Sequence, residues 1–507
     1  SFGAMNFLLQ ALSHWRGVRP DAIAFVDGNE SITYDRLWHR VGGVARETAE
    51  LPDRVGLLAP NGIDWIVADL AMWLNARSVV PLPEFFSDGQ LAHILADGGI
   101  DVVLTTEARA GRVHVLGAQA VIIGANETEV ASPSGNSSDD GHNGGDRIIY
   151  TSGSTGEPKG VVLGSAQLQN TCQGLIAAAK PDFYDRHLSV LPFPMLLENI
   201  CGIYLPILVG GQAHITASIL AEPPAEMAVA LAEAALAAAA TTTVLVPQLL
   251  TAWVLVASVG RVAVPESLRF VAVGGAALPK PIAKRARELG IPAYEGYGLS
   301  ECCSVVAINV PGADRLGSVG KPINGLDVKI ASDGEIMVYG GAVMQGYLGG
   351  KVAVAAQTWS TGDLGHIDDD GYLYIHGRKD NLIVTANGRN VSPEWPETML
   401  AADPRIGRAI VLPTPDGNMA AILEPSMLGQ SWFDGADAAA LQKLVVTLCA
   451  DAPGYAVPKG IHAVAAGYFA DNGLLTANNR PRRKAIHDHF GPLLAEIFEE
   501  GSNHAVL

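Results

Sequence analysis

Ile149-Tyr150-Thr151-Ser152-Gly153-Ser154-Thr155-Gly156-Glu157-Pro158-Lys159-Gly160-Val161-Val162 places hydroxyls at 151, 152, 154 and 155, glycines at 153 and 156, and a lysine between two apolar runs. Glycines let backbone N–H groups close on a polyanion, the hydroxyls of Thr151, Ser152, Ser154 and Thr155 add donors, and Lys159 adds positive charge. The stretch reads as a phosphate-binding loop joining two strands, with a flexible Ser/Gly hairpin as the plain structural alternative. A Walker loop is disfavoured, because Pro158 stands where glycine precedes the lysine and Gly160 where a hydroxyl follows it.

Moving outward, the short apolar runs 54–58, 102–104, 121–123 and 268–273 are bounded by turn residues and alternate with the helix-length segments 65–74 and 223–240. Strand, helix, strand repetition predicts parallel sheets covered on both faces, an α/β fold. The polar Gly/Ser/Asp tract 131–146 cannot build a core and reads as a surface loop leading into the strand at 147–150. A second transition falls near Gly377-Arg378-Lys379-Asp380. Beyond it, strand-like runs at 409–412 and 420–423 and a helix at 438–448 suggest a small α+β module. The expected division is therefore 1–379 and 380–507.

With 507 residues, 49% hydrophobic and 17% charged, the chain is too long for one simple core and too apolar for disorder. A net charge of −18 and a pI near 5.1 repel nucleic-acid phosphates, so a nucleic-acid role would need a concentrated basic patch. The one basic run, Arg480-Pro481-Arg482-Arg483-Lys484, reads as an ordinary solvated face. Five cysteines without regular spacing argue against a disulfide framework or structural zinc and fit a reducing cytoplasm. The residues before Met5 look like a vector remnant, and no secretion signal is visible. The apolar stretch 243–259 is broken by Pro247, Gln248 and Trp253, which favours a buried strand and helix over membrane insertion.

The 149–162 loop resembles the signature of the adenylate-forming (AMP-binding) superfamily, which includes acyl-CoA synthetases, peptide-synthetase adenylation domains and luciferases. Further matches follow in family order across nearly the whole chain. The resemblance implies a large N-terminal domain of parallel-rich sheets with a β-barrel-like subdomain, followed by a small mobile C-terminal domain.

It also implies roles. Tyr294-Glu295-Gly296-Tyr297-Gly298-Leu299-Ser300-Glu301 is similar to the segment in which Tyr297 stacks on adenine, Ser300 touches the α-phosphate and Glu301 holds Mg²⁺, with Thr151 as a second metal contact. Glu295, Gly296 and Gly298 line the same segment, and Gly275 and Ala276 of Val273-Gly274-Gly275-Ala276-Ala277-Leu278-Pro279 lie beside the adenine and the acyl chain. Asp363 of Thr361-Gly362-Asp363-Leu364-Gly365 would accept both ribose hydroxyls, joined by Arg378, and Asp380 falls at the family's hinge. Asn387-Gly388-Arg389-Asn390-Val391-Ser392-Pro393, ending in Glu397, resembles the loop lining a thiol tunnel at Gly388. It looks closer to fatty acyl-CoA synthetases than to amino acid-activating domains.

Two departures matter. Asn479 stands where the family has glycine, and Arg480 where it has the lysine that holds the carboxylate against the α-phosphate. Arginine keeps the charge but is a broad planar fork rather than a compact ammonium. Asn479 tolerates left-handed backbone angles, so the turn can survive. In Leu191-Pro192-Phe193-Pro194-Met195-Leu196-Leu197-Glu198-Asn199, Met195 replaces the usual His or aromatic at the acyl-pocket gate and points to a hydrophobic substrate, or is simply a core methionine.

The implied reaction is attack of a carboxylate on the α-phosphorus of ATP, giving acyl-AMP and pyrophosphate, then transfer to coenzyme A or a phosphopantetheine thiol. The acid would be fatty or aryl. A carboxyl with a reference pKa of about 4 is already ionised, so no general base is required. The alternatives are another acceptor, such as a separate acyl carrier protein, an amine or oxygen, and a non-adenylating nucleotide- or acyl-binding descendant, motivated by Arg480.

Overall fold

A computed structural model describes residues 6–124, 145–152, 158–222, 224–350, 357–386, 388–476, 479–498 and 505–506. Gly153, Ser154, Thr155 and Gly156 of the expected phosphate loop lie outside the described residues, as does most of the tract 131–146.

The chain is α/β, with two large sheets. One orders its strands Lys321–Pro322, Ala307–Ile308, Ala293–Tyr297, Phe270–Val273, Thr242–Leu245, Arg186–Ser189, Gln212–Ile215, Ile23–Asp27 and Glu30–Thr33. Its six central strands, from Ala293–Tyr297 to Ile23–Asp27, run parallel. The other orders Gly346–Tyr347, Pro158–Leu163, Arg147–Ser152, Ser78–Pro81, Arg54–Leu58, Val102–Thr105 and Gln119–Ile122. Parallel sheets need both faces covered. Accordingly Trp65, Ile66, Leu70 and Met72 of the helix Ile63–Leu74 are fully buried, and one contiguous core joins that helix to Leu188, Val271 and Trp253. The apolar stretch at 243–259 resolves into the strand Thr242–Leu245 and the helix Pro247–Ser258.

The strands Leu326–Ile330, Glu335–Gly340, Thr358–Ile367 and Leu373–Arg378 form a four-stranded antiparallel sheet. Beyond it, Ile406–Pro413, Met419–Pro425 and Gly460–Ala463 form a separate mixed sheet completed by Ala505–Val506. The helices Ala438–Leu448 and Arg483–Glu496 contribute to the two core clusters of this part of the chain.

A buried charge network anchors the strand that opens the phosphate segment. Arg147 Nε donates to Asp69 Oδ1 at 2.7 Å, Tyr204 Oη donates to Asp69 Oδ2 at 3.0 Å, and the guanidinium lies 3.8 Å from the Trp73 ring centroid. Burial pushes the Asp69 carboxyl up while Arg147 pulls it back. A buried pair of this kind is costly to break on one side only, because the survivor is left unpaired.

Candidate active site

In parallel sheets ligands gather at the carboxyl ends of the strands. There the strand Phe270–Val273 runs into Gly274-Gly275-Ala276, and Ala293–Tyr297 runs into Gly298-Leu299-Ser300-Glu301. Gly275 and Ala276 are exposed in this loop. Glu295 accepts from the Leu278 backbone N–H at 2.9 Å, which ties the two loops together, and burial pushes its carboxyl up to about 7.

The turn after Tyr297 is strained and tightly packed. Cys303 and Ser304 take positive φ of 53° and 79°, a conformation that costs of order 1–3 kcal/mol per residue. Bonds from Cys303 N to Ser300 O, Ser304 N to Leu299 O and Thr171 Oγ1 to Cys303 O hold it. Gly298 is obligatory at this turn, since a Cβ there would lie 1.5 Å from the Ser304 carbonyl oxygen. The product of the strain is a fixed position for Ser300 and Glu301.

Asp363 is the hub of the cleft. It is 8% exposed, accepts from Tyr297 Oη at 2.5 Å and from Arg378 Nη1 at 3.1 Å, and its own N–H donates to Thr361 Oγ1 at 3.0 Å. Burial raises its pKa, and the Tyr297 and Arg378 contacts oppose that. Burial together with the Asp363 charge pushes the Tyr297 phenol well above its ordinary value, so Tyr297 remains the donor. Of the residues expected at adenine and ribose, Tyr297, Asp363 and Arg378 are thus in mutual contact.

Lys159 is exposed and pairs with Thr151 where the strands Arg147–Ser152 and Pro158–Leu163 lie side by side. Its Nζ lies 5.5 Å from the ring centroid of Tyr347, whose Oη donates to Glu301 Oε1 at 2.9 Å. Tyr347 therefore stands between Lys159 and Glu301, the residues expected at phosphate and metal. Nothing in the local sequence pattern singles it out. Its position follows from the antiparallel pairing of Gly346–Tyr347 with Val161 and Val162.

Arg480 faces the same cleft. Surrounding protein and the Arg378 charge lower its pKa, while Asp363 and Glu301 raise it, although the side chain itself stays open to solvent, as a residue lining a cleft does. Arginine remains protonated under any such shift. Asn479 adopts φ 58°, the left-handed angle glycine normally supplies, and its side-chain oxygen accepts from Arg408 Nη2 at 3.0 Å. The rest of the basic run is split among other tasks. Arg483 forms a paired contact with Glu397 at 3.0 and 2.6 Å, and the Glu397 carboxylate raises the Arg483 pKa. Glu397 is thereby a structural anchor, also accepting from Val411 N at 2.7 Å.

Asp380 is exposed in the short 3-10 turn Lys379–Asn381, and Gly388 has φ 68° in the turn between the strands Ile383–Val384 and Asn390–Val391. Met195 is half-buried against the main core at the entry to the helix Leu196–Glu198. A nearby apolar cavity has Leu197 and Cys201 in its wall.

The family model for AMP-binding enzymes matches residues 12–348. This chain belongs to the AMP-binding enzyme family. Among curated members, the feruloyl-CoA synthase of Amycolatopsis sp is 28% identical over 510 residues, 95% of this chain and 99% of that one. The long-chain-fatty-acid–CoA ligase FadD15 of Mycobacterium tuberculosis is 42% identical over 156 residues, 30% of this chain but only 26% of that protein's length. Among solved structures, the anthranilate CoA ligase AuaEII in complex with anthranoyl-AMP superposes with TM-score 0.81 at 18% identity, over 96% of this chain and 97% of that one. The o-succinylbenzoate CoA synthetase of Bacillus subtilis with its acyl-adenylate gives TM-score 0.76 at 23% identity, over 95% and 97%. Among the described residues no helix is long and apolar enough to cross a membrane.

Proposed function

We propose that the chain binds ATP in the Asp363 cleft, joins its α-phosphate to a carboxylic acid with release of pyrophosphate, and passes the acyl group to a thiol. The supporting observation is the convergence of Asp363, Tyr297, Arg378, Glu301 and Arg480, drawn from distant parts of the sequence, on one cleft. The relatives named as CoA ligases act in the same sense, which favours coenzyme A as acceptor over a carrier-protein phosphopantetheine.

The Asp363 carboxylate accepts the ribose hydroxyls, with Arg378 steadying it, and the Tyr297 ring offers a face to adenine. Lys159 and Arg480 place positive charge where the triphosphate gathers negative charge. An acid oxygen attacks the α-phosphorus as the bond to the bridging oxygen breaks, and pyrophosphate carries away the electron pair. This demands positioning and charge stabilisation rather than proton transfer. Mg²⁺ needs only one or two carboxylates besides substrate phosphates. Glu301 fits that need, and no cluster of three or more His, Cys, Asp or Glu suited to a metal occurs among the described residues. When bound, the ion neutralises phosphate charge. Thiol attack on acyl-AMP then releases AMP, with the module 380–507 turning about Asp380 to present Gly388 and withdraw Arg480.

The test is exchange of labelled pyrophosphate into ATP across an acid panel. Exchange is expected with at least one acid, reduced about 10-fold or more in Arg480→Ala and raised in Arg480→Lys, whose compact ammonium suits the tight site. ATP binding by calorimetry with no exchange from any acid favours the non-adenylating reading instead.

A further inference from the structure

Between the strands Arg186–Ser189, Thr242–Leu245 and Phe270–Val273 and the helices over them lies an apolar cavity of about 70 Å³. Its lining runs from the amino-terminal ends of these strands, at Asp185, Thr242 and Arg269, along the sheet to Leu197, which reaches the Gly274 loop of the proposed reaction site. Leu197 lines the cavity and also lies 3.7 Å from where a Cβ on Gly274 would sit, and Ala272 lines it from the strand Phe270–Val273 that runs into Gly274. Resting on the adenylation reading, we infer that this cavity takes the far end of the substrate acid, and that the acid is a monocarboxylic acid with a slim alkyl tail carrying no distal charge.

The wall's polar groups decide the chemistry, because His187, Thr243, Asp185 and Arg269 are already engaged inside the protein, and Gln212 uses its Nε2 on His214 Nε2 at 3.0 Å. His187 uses Nδ1 on Thr242 Oγ1 at 3.0 Å and Nε2 on Glu198 Oε1 at 3.3 Å. Thr243 Oγ1 donates to Leu188 O at 2.8 Å. Arg269, the one cation of the lining, spends each of its three nitrogens. Nε donates to Asp185 Oδ1 at 2.7 Å, Nη1 to Ala179 O at 3.2 Å, and Nη2 to Asp185 Oδ2. A second carboxylate arriving here meets a guanidinium already neutralised by Asp185, and its desolvation is left uncompensated.

Size narrows the class further. The space is about half of the ~150 Å³ apolar cavity known to admit benzene, so an alkyl end enters more readily than a ring. The substrate class thus differs from 2-succinylbenzoate, the acid named for several relatives, which carries two carboxylates.

The experiment compares straight-chain alkanoic acids with α,ω-dicarboxylic acids of equal length. Pyrophosphate exchange is one readout and calorimetric binding of the acid is the other. We expect the best alkanoic acid to exceed its dicarboxylic partner at least ~100-fold in kcat/KM. Ala272→Val should shift the optimum to a shorter chain, and Cys201→Ala, which enlarges the cavity, to a longer one. Each variant serves if the other fails to fold. Comparable rates for the dicarboxylic acids, or an optimum that neither variant moves, overturns the inference while leaving adenylation intact. Alkanoic acids that bind without exchange, with binding altered by Ala272→Val, retain the cavity assignment and overturn adenylation. Neither binding nor exchange overturns both.

Discussion

Replacing Asp363 by Asn removes the charge at the hub of the cleft while keeping its shape. In the free protein the carboxylate takes one bond from Tyr297 and one from Arg378, and with nucleotide bound it is assigned both ribose hydroxyls. Hydrogen bonds to a charged acceptor are worth about 1.5–3 kcal/mol against about 0.5–1.5 for neutral pairs, so two weakened bonds cost roughly 2–3 kcal/mol. That corresponds to about a 30–150-fold weaker Kd. One effect opposes it. Arg378 and Arg480 lose a counter-charge, which strengthens attraction for phosphates. The loss should therefore be complete for adenosine and smaller for ATP, an ordering that distinguishes ribose binding from general damage. Calorimetry with adenosine, ATP and 2′-deoxyATP measures all three terms. In the wild type, removing the 2′-hydroxyl should weaken binding, and in Asp363→Asn that penalty should shrink. Since Asp363 is only 8% exposed and burial already disfavours its charge, thermal stability should change little. An unaltered adenosine affinity, or an equal 2′-deoxy penalty in both proteins, refutes the assignment.

Tyr347→Phe keeps the ring near Lys159 but deletes the donor to Glu301. Pyrophosphate exchange should fall about 10-fold, the equivalent of ~1.4 kcal/mol, with a higher magnesium requirement, and an unchanged magnesium titration counts against the bridging role. Asp69→Asn leaves Arg147 without its buried counter-charge, and urea denaturation should register a loss of about 3–5 kcal/mol, a loss below ~1 kcal/mol being inconsistent with the network. Glu295 carries a folded pKa of about 7 against an ordinary 4.5, so between those values the folded chain keeps a proton that the unfolded chain has released. Stability from this group is present below about pH 4.5 and declines as pH rises through 7, by at most roughly 3 kcal/mol. Glu295→Gln, unable to titrate, should lose less stability than wild type between pH 5 and 8, and parallel melting curves would contradict the shift.

Strands and helices with a continuous apolar signal were readable locally. The runs at 54–58 and 438–448 correspond to Arg54–Leu58 and Ala438–Leu448, because burial on both faces or a clear helical stripe leaves no competing conformation. The run at 268–273 begins as a strand only at Phe270, and the Arg269 side chain pairs with Asp185. Asp363, Tyr297 and Arg378 were legible as motif residues, but their mutual contacts depend on strand register. Tyr347 was not legible at all, because its role arises only when Gly346–Tyr347 pairs with a strand far earlier in the chain. The cavity lining was obscured differently. The π-helical turn Asn199–Tyr204 widens the helical turn, which shifts the phase that an ideal helix assigns to Cys201 relative to Leu197. The run 480–484 illustrates a third limit. Residues of one charge in sequence separate in space, with Arg480 on the cleft and Arg483 on Glu397.

The most direct measurement is a crystal structure of the protein with ATP or a non-hydrolysable acyl-AMP analogue. The account predicts the ribose hydroxyls within hydrogen-bond distance of the Asp363 carboxylate, phosphate oxygens on Lys159, and Arg480 beside the α-phosphate. A nucleotide seated in another cavity, or one whose sugar lies away from Asp363 while its phosphates avoid Lys159, contradicts it.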